Sequence, residues 1–231
     1  MVWSRLRRGR SAAPRLPLPG PCWHRRHTLR TERLLLYTPE SALDFAAVLA
    51  AGSDPEAQWW LCWADGRGIA DPAVREALLR LRPGDTETLR TSGSLRNLLN
   101  KPFEPFEDDA EFLIGVRVDV GTYAGVVMMD PGTGEIDGWL APEARGLGLG
   151  AELFRAAVVL GHGHLGLPRV FAGFEPANTA CARALTSAGF VATDGRARHV
   201  QPDGREVDSR WLEHTTTSPL TRCRGAGRLP A

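Results

Sequence analysis

The stretch from Arg145 to Gly150, with the sequence Arg-Gly-Leu-Gly-Leu-Gly, most constrains what this chain can fold into. It follows an apolar segment at 136–140 and precedes a helical pattern with one apolar stripe. A strand, a glycine turn and a helix N-terminus form a cradle for an anion. Glycines let the backbone approach the ligand, and the first helical turn has unpaired N–H groups. The sequence therefore predicts a phosphate or pyrophosphate site at this loop.

Three phosphate-binding patterns can be compared with this loop. A Walker loop ends in Gly-Lys-Ser/Thr, whereas Ala151 and Glu152 follow Gly150, so that pattern is excluded. The dinucleotide fingerprint needs G-x-G-x-x-G in an early βαβ unit, but the glycines here are spaced G-x-G-x-G beyond the middle of the chain. The third pattern is Arg-x-x-Gly-x-Gly, which Arg145, Gly148 and Gly150 fit. A glycine-rich loop without a ligand is the remaining alternative.

Two further segments accompany this third pattern. One is 175–190, in which Asn178 is suited to cap a helix and Gly189 to end it in the left-handed conformation. The other is 28–36, with the sequence Thr-Leu-Arg-Thr-Glu-Arg-Leu-Leu-Leu. With the glycine loop, they resemble the GNAT acetyltransferase superfamily, and most closely its ribosomal-protein alanine N-acetyltransferase branch. The resemblance covers about residues 28–214.

The resemblance implies a fold and a co-substrate. The apolar periods along the chain predict a mixed α/β domain with the order βαααβββαβαββ. The GNAT fold implied by the resemblance is of the α+β type, with a single mixed, mostly antiparallel sheet that is flanked by helices and splayed at the CoA site. Acetyl-CoA would bind there, with its pantetheine inserted like an extra strand. The residues implied for CoA binding are Leu140, Ala141, Arg145, Gly146, Leu147, Gly148, Leu149, Gly150, Ala151 and Asn178.

Composition indicates one folded domain with loose ends. The 231 residues are 43% hydrophobic and 24% charged, which is typical of a globular domain, here 28–214. Residues 1–27 are rich in Arg and Pro and are expected to form a disordered extension, and 215–231 a flexible tail.

No segment has the ~20 apolar residues of a membrane span. A net charge of +1 makes nucleic acid an unlikely partner for the whole molecule. The four cysteines form no C-x-x-C pair, so neither a metal site nor a disulfide is expected, and the cytoplasm is the expected compartment.

Three carboxylates are candidates for the base that deprotonates an amine. Glu135 and Asp137 lie two residues apart, on the same face of the predicted fourth strand, and Glu175 ends the fifth. Relatives commonly read E-I-G-Y-W-L where this chain reads E-I-D-G-W-L, so the carboxylate at Asp137 and the missing tyrosine at Gly138 are departures. A charge within a strand costs desolvation unless it has a partner. The alternative for Glu135 is that it is a solvated residue at the end of the strand, without a catalytic role. Water is an alternative base.

The group that protonates the departing thiolate is less obvious. Many GNAT enzymes use a tyrosine, but the only tyrosines are Tyr37 and Tyr123, and both precede Asn178. In the alanine N-acetyltransferase branch a serine near the CoA sulfur occupies the position of Cys181. Cys181 is thus either an acid or a small packed residue. No basic partner is placed to activate it as a nucleophile, so direct attack in a ternary complex is expected.

The acceptor is expected to be a primary amine. Neutralising a lysine at pH 7 costs roughly 4.6 kcal/mol, whereas an α-amine costs about 1, so an α-amine suits a site with uncertain bases. Trp59, Trp60 and Trp63 are candidates for substrate contacts, with helix packing as the alternative. We therefore expect an acetyl-CoA-dependent N-acetyltransferase acting on a protein or peptide α-amine, as a monomer or homodimer. A small-molecule amine acetyltransferase and an idle CoA-binding sensor domain are the alternatives.

Overall fold

A computed structural model describes residues 26–63, 68–85 and 110–217 of the chain. The elements follow the predicted order, with an additional short strand at the start and a more divided C-terminal region. Most of the predicted extension and tail, and the loop acids Glu104, Glu107, Asp108 and Asp109, lie outside the described residues. The strands are β1 (Thr28–Arg30), β2 (Leu34–Tyr37), β3 (Glu111–Arg117), β4 (Tyr123–Met129), β5 (Ile136–Leu140), β6 (Arg169–Phe174), β7 (Val191–Thr193), β8 (Arg198–Val200), β9 (Glu206–Asp208) and β10 (Arg210–Thr215); the α-helices are α1 (Ala42–Gly52), α2 (Pro55–Leu61), α3 (Pro72–Arg80), α4 (Leu149–Val159) and α5 (Thr179–Ser187).

The first sheet is antiparallel, in the order β1-β2-β3-β4-β5. The sequence predicts a hairpin of alternating strands at 112–118 and 123–129, with its turn at 120–122. The hairpin is confirmed as β3 and β4, with Gly121 of the turn in the left-handed region. The predicted alternation is wrong, because β3 and β4 are buried at nearly every position. Helix α4 covers one face and helices α1 and α3 the other, so each face belongs to its own core cluster.

The second sheet has the order β6-β10-β7, all antiparallel. Strands β5 and β6 meet only through the parallel bridge between Glu135 and Phe171, in which the Phe171 N–H donates to the Gly134 carbonyl over 2.8 Å. Beyond this bridge the strands separate, which confirms the predicted splay. Gly134 is in the left-handed region, and a Cβ there would lie 2.7 Å from the Arg169 carbonyl oxygen. The close approach at the bridge therefore needs glycine.

The C-terminal region corrects a simpler expectation. The sequence predicts one hairpin from Phe190 to Glu213 with its turn at 202–204. The turn is confirmed, but it joins only β8 and β9, which form a separate ribbon, while β10 pairs between β6 and β7. Residues of this ribbon alternate between half-buried and exposed, because one of its faces lies over the rest of the molecule.

Helix α4 also differs from expectation at its C-terminal end. Gly161 and Gly163 were predicted to end it, but the chain continues as a π-helical turn, Leu160–His164. A Cβ on Gly161 would lie 2.6 Å from Val170 Cγ2, so glycine permits close packing on β6 rather than termination. No helix in the described part of the chain is long and apolar enough to cross a membrane.

Glu152, in the first turn of α4, connects this helix to the start of the first sheet. Its buried carboxylate accepts hydrogen bonds from Thr31 Oγ1 (2.6 Å) and the Arg33 N–H (3.0 Å), and it forms an ion pair with Arg33 Nε (2.5 Å). Arg33 Nη1 in turn donates to the Leu147 carbonyl over 2.7 Å. Burial alone would raise the Glu152 pKa, but the bonds from Thr31 and Arg33 outweigh it and lower the pKa. Glu152 thus holds the glycine loop against the β1–β2 turn.

Glu152→Gln should destabilise the fold by about 1–3 kcal/mol at pH 7, because it keeps the shape but removes the charge that Arg33 pairs with. A group whose pKa falls on folding stabilises the protein above its unfolded pKa of about 4.3. The difference from wild type should therefore shrink as pH falls below that value. Urea unfolding between pH 3 and pH 8 would measure it. The exposed Glu76→Gln is the control and should cost little; equal losses would contradict the anchoring role of Glu152.

Candidate functional site

A cavity of about 910 Å³ opens where β5 and β6 separate. Its walls come from these strands, the N-terminal ends of α4 and α5, helix α2 and the β8–β9 ribbon. The volume is in the range of small-molecule and cofactor sites. Most of the residues singled out in the sequence line it: Trp60, Trp63, Glu135, Asp137, Leu140, Arg145, Gly146, Gly148, Gly150, Ala151, Glu175, Asn178 and Cys181. Trp59, Ala141, Leu147 and Leu149 do not.

The glycine loop presents backbone N–H groups at one end of the cavity. Gly146 and Gly148 both have left-handed backbones, and Gly148 immediately precedes α4 without a side-chain cap. The first N–H groups of α4 therefore have no side-chain acceptor. A Cβ on Gly150 would lie 3.2 Å from Ala184 Cβ, so glycine allows α5 to pack closely. Leu149 points into the core and Leu147 to solvent. This arrangement fits an anion, as predicted.

Arg145 fastens the glycine loop to α2. Its guanidinium forms ion pairs with Asp54 (2.5 Å) and Glu56 (3.1 Å), and its Nε donates to the Leu140 carbonyl over 3.1 Å. Asp54 also caps α2 by accepting from the Glu56 and Ala57 N–H groups. Burial alone would raise the pKa of Asp54, but the hydrogen bonds and the charge of Arg145 outweigh this effect and lower it. The Arg145 side chain is thus engaged with protein carboxylates and positions the loop that was predicted to hold a pyrophosphate.

The backbone of β5 presents polar groups to the gap. The Ala141 N–H donates to the Ala124 carbonyl over 2.8 Å, so it is used by the sheet. Hydrogen bonding alternates along an antiparallel strand, and in this register Gly138 and Leu140 direct their backbone groups away from β4. The Gly138 N–H donates to Asp137 Oδ1 over 2.7 Å. The Leu140 carbonyl accepts from Arg145 Nε. The groups available to an extended ligand in the gap are therefore the Gly138 carbonyl and the Leu140 N–H, rather than those of Ala141.

The three candidate bases differ in their partners. Glu135 forms an ion pair with Arg196 (3.1 Å), and Glu175 forms one with Arg205 (3.0 Å). Asp137 has no Arg or Lys partner among the described residues. Its side chain is exposed to solvent through the cavity, but the surrounding protein desolvates the carboxylate and raises its pKa. The hydrogen bond from Gly138 and the charge of His199 oppose the shift without cancelling it. Of the three carboxylates, Asp137 is therefore best suited to accept a proton, because its pKa is raised and no arginine is bound to it.

Cys181 lies in the first turn of α5, where its N–H donates to Asn178 Oδ1 over 3.0 Å. This bond confirms the predicted helix cap. Burial, and secondly the charge of Asp137, raise the pKa of the Cys181 thiol to about 12. Transfer of its proton to an ordinary thiolate with a pKa near 8.5 would be uphill by roughly 4–5 kcal/mol. The chemistry therefore favours the alternative that Cys181 is a small packed residue.

Both tyrosines are used in the core. Tyr37 and Tyr123 each donate to Asp44 Oδ1 over 2.8 Å, below helix α1. Burial and the neighbouring Asp44 charge raise both pKa values. Neither side chain lines the cavity. Since the chain has two tyrosines, no tyrosine can serve as an acid in this cavity.

The tryptophans divide into two groups. Trp60 and Trp63 line the cavity, and Trp63 makes an edge contact with Trp139 at a centroid distance of 5.2 Å. Trp139 is itself held by a 3.1 Å hydrogen bond from its Nε1 to the Val48 carbonyl. Trp59 is 64% exposed and lies outside the cavity. An aromatic wall that includes Trp60, Trp63 and Trp139 therefore borders part of the cavity.

The β8–β9 ribbon supplies site residues that the sequence reasoning missed. His199, Gln201, Pro202 and Val207 line the cavity from this ribbon. Arg205 clamps it in place, because its Nη2 contacts Glu175 Oε1 (3.0 Å), the Trp59 carbonyl (3.1 Å) and Cys62 Sγ (3.0 Å). The Pro-Asp-Gly sequence at 202–204 predicts a turn between two strands. No local pattern shows that the resulting ribbon folds over the β5–β6 gap.

Comparison with known proteins gives a consistent family. A family model described as the acetyltransferase (GNAT) domain matches residues 33–191. No curated protein gave a significant sequence match. A GNAT-family acetyltransferase structure from Bacillus anthracis has 18% identity and a TM-score of 0.56, over 81% of this chain and 98% of that one.

Two structures from Vibrio cholerae are similar to a comparable extent. A putative ribosomal-protein-serine acetyltransferase has 14% identity and a TM-score of 0.52, over 82% of this chain and 97% of that one. A spermidine N-acetyltransferase in complex with CoA and spermine has 15% identity and a TM-score of 0.51, over 80% and 96%. At these identities the similarity shows a shared fold.

Proposed function

The chain belongs to the GNAT acetyltransferase family, and on that premise we propose that it transfers the acetyl group of acetyl-CoA to a primary amine, specifically the α-amine of a protein or peptide. The observation that carries this proposal is the arrangement of the β5–β6 gap. An anion cradle lies at one end and the unpaired carboxylate of Asp137 lines the same cavity. Direct attack within a ternary complex needs no covalent enzyme intermediate.

Acetyl-CoA fits the gap from one end to the other. The pyrophosphate would accept hydrogen bonds from the N–H groups at the start of α4, whose dipole favours negative charge. The pantetheine amides would pair with the Gly138 carbonyl and the Leu140 N–H, which neither β4 nor a side chain engages. The thioester would then lie towards Asp137 and Cys181, both of which line the cavity.

Asp137 is the proposed base. The amine nitrogen attacks the acetyl carbon, the C–N bond forms and the C–S bond breaks. A carboxylate with a raised pKa accepts a proton from nitrogen more readily than an ordinary one. Once protonated, Asp137 can pass that proton to the leaving sulfur, because a carboxylic acid is a stronger acid than a thiol. One residue would thereby replace the missing tyrosine.

The charge distribution favours an acceptor with a single ammonium group. Three lining carboxylates, Glu56, Glu135 and Glu175, are each paired with an arginine. Asp130 is held by turn N–H groups at the rim. Among the described residues that line the cavity, this leaves Asp137 as the carboxylate of β5 that has no arginine partner. A polyamine would present several charges to a site that complements one, whereas a peptide α-amine presents one and is deprotonated at lower cost.

Acetyl-CoA should raise the melting temperature of the wild-type protein, by an amount equivalent to roughly 2.7 kcal/mol at 100 times Kd. Gly148→Val should abolish this shift, because a β-branched residue resists the left-handed backbone that presents the α4 N–H groups. Gly84→Val is the matched control, since Gly84 has a similar backbone but lies away from the cavity. Thermal unfolding with and without acetyl-CoA measures both. A normal shift in Gly148→Val would overturn the placement of the pyrophosphate.

Wild-type protein should release free thiol from acetyl-CoA when a peptide with N-terminal alanine is added. Asp137→Asn should lower kcat/KM by about 10²-fold or more, because the proton acceptor is lost. It should not lower the melting temperature, since a carboxylate whose pKa rises on folding destabilises the fold at pH 7. Glu135→Gln, which removes a carboxylate paired with Arg196, is the control and should retain most of its activity.

Two outcomes would contradict this assignment. Equal activity losses in Asp137→Asn and Glu135→Gln would remove the special role of Asp137. If the wild-type protein binds acetyl-CoA but releases no thiol with the alanyl peptide, spermidine or an aminoglycoside, the domain is a CoA-binding sensor. Turnover only with spermidine or the aminoglycoside would make it a small-molecule amine acetyltransferase.

A further inference from the structure

The β8–β9 ribbon places one histidine inside the cavity. His199 is half-buried and lines the cavity, whereas its neighbours Arg198 and Val200 are exposed on the opposite face of the ribbon. Arg198 pairs outward with Glu206 (3.5 Å) and Asp208 (3.7 Å). The alternation of a strand thus separates a cavity-facing imidazole from an outward-facing charge cluster.

The clamp on the ribbon keeps this histidine over the gap. Arg205 is bound at once to the end of β6 through Glu175 and to α2 through the Trp59 carbonyl and Cys62 Sγ. The guanidinium also lies 5.5 Å from the centroid of the Trp59 ring. These contacts join the ribbon to both walls of the cavity. The position of His199 therefore does not depend on the ribbon alone.

Several ionisable side chains line the cavity together with His199. Glu135 and Glu175 are paired with Arg196 and Arg205, and Cys181 is a thiol whose pKa is raised well above neutral. Asp137 has no arginine partner among the described residues, and the His199 charge acts on it directly. The cavity thus contains two side chains whose chemistry allows proton transfer, an imidazole and a carboxylate without an arginine partner.

The reaction needs two such groups. An amine arrives as an ammonium ion and must lose one proton before it can attack and a second after the C–N bond forms. One of the two protons ends on the CoA sulfur and the other in water. Asp137 can carry the second proton from nitrogen to sulfur, but it cannot hold both.

We propose that His199 is a further catalytic residue, which accepts the first proton from the acceptor ammonium and releases it to water. Asp137 then takes the second proton from the tetrahedral intermediate and gives it to the leaving thiolate. The products are the N-acetyl amine, CoA with a free thiol and one proton in solution, and both side chains return to their starting states. This assignment rests on the acetyl transfer proposed above.

The test compares two acceptors that differ in basicity. The first is a peptide with N-terminal alanine, and the second is the same peptide beginning with trifluoroalanine, whose fluorines keep its amine neutral at pH 7. With an α-amine pKa of ~7.8, about one seventh of the alanyl peptide is neutral at pH 7. His199→Gln should therefore lower kcat/KM for the alanyl peptide by about sevenfold at pH 7, with the loss vanishing at pH 9. It should leave the trifluoroalanyl peptide nearly unchanged. Asp137→Asn should impair both acceptors.

Arg198→Gln is the matched control, because it removes a positive charge from the same ribbon on the face away from the cavity. It should behave as wild type with both peptides. If His199→Gln loses the same factor with both peptides, or is as active as wild type, His199 is not the first proton acceptor. If the wild-type protein acetylates neither peptide, the proposed α-amine activity fails and the role of His199 falls with it. These two failures are distinguished by the wild-type rate.

Discussion

The separation of β5 from β6 is the constraint on which the rest of the site depends. One parallel bridge between Glu135 and Phe171 joins the strands, and beyond it the backbone groups of Gly138 and Leu140 are left without a strand partner. Unpaired strand edges cost free energy when they are buried, and they are templates for an added strand. The same separation exposes the start of α4 and the mid-strand carboxylate of Asp137 to one cavity. The proposed anion cradle, the backbone edge and the proposed base thus arise from a single interruption of the sheet.

Two arginines hold this open arrangement together and also set its charge. Arg145 ties the glycine loop to α2 through Asp54 and Glu56, and Arg205 ties the β8–β9 ribbon to α2 and β6. In doing so they neutralise carboxylates that would otherwise attract cations. Arg196 does the same for Glu135. Asp137, by contrast, has no arginine partner among the described residues, and its raised pKa suits proton transfer.

Local patterns were enough to predict much of the fold. The Arg-x-x-Gly-x-Gly spacing, the Asn178 cap and the Gly189 stop depend on residues close in sequence, and all three occupy the predicted positions. The burial of β3 on both faces was missed, because the covering helices are distant in the chain. The partners of Arg145 lie about 90 residues away, and His199 enters the cavity only because a clamped ribbon folds over it. Such contacts have no local sequence signal.

The central claim is that one gap between two strands holds acetyl-CoA from pyrophosphate to thioester. An experimental structure of the protein with CoA tests it most directly. The account predicts the pyrophosphate on the N–H groups that follow Gly148, the pantetheine hydrogen-bonded to Gly138 and Leu140, and the sulfur beside Asp137. CoA bound outside the β5–β6 gap, or pantetheine paired with another strand edge, would contradict it.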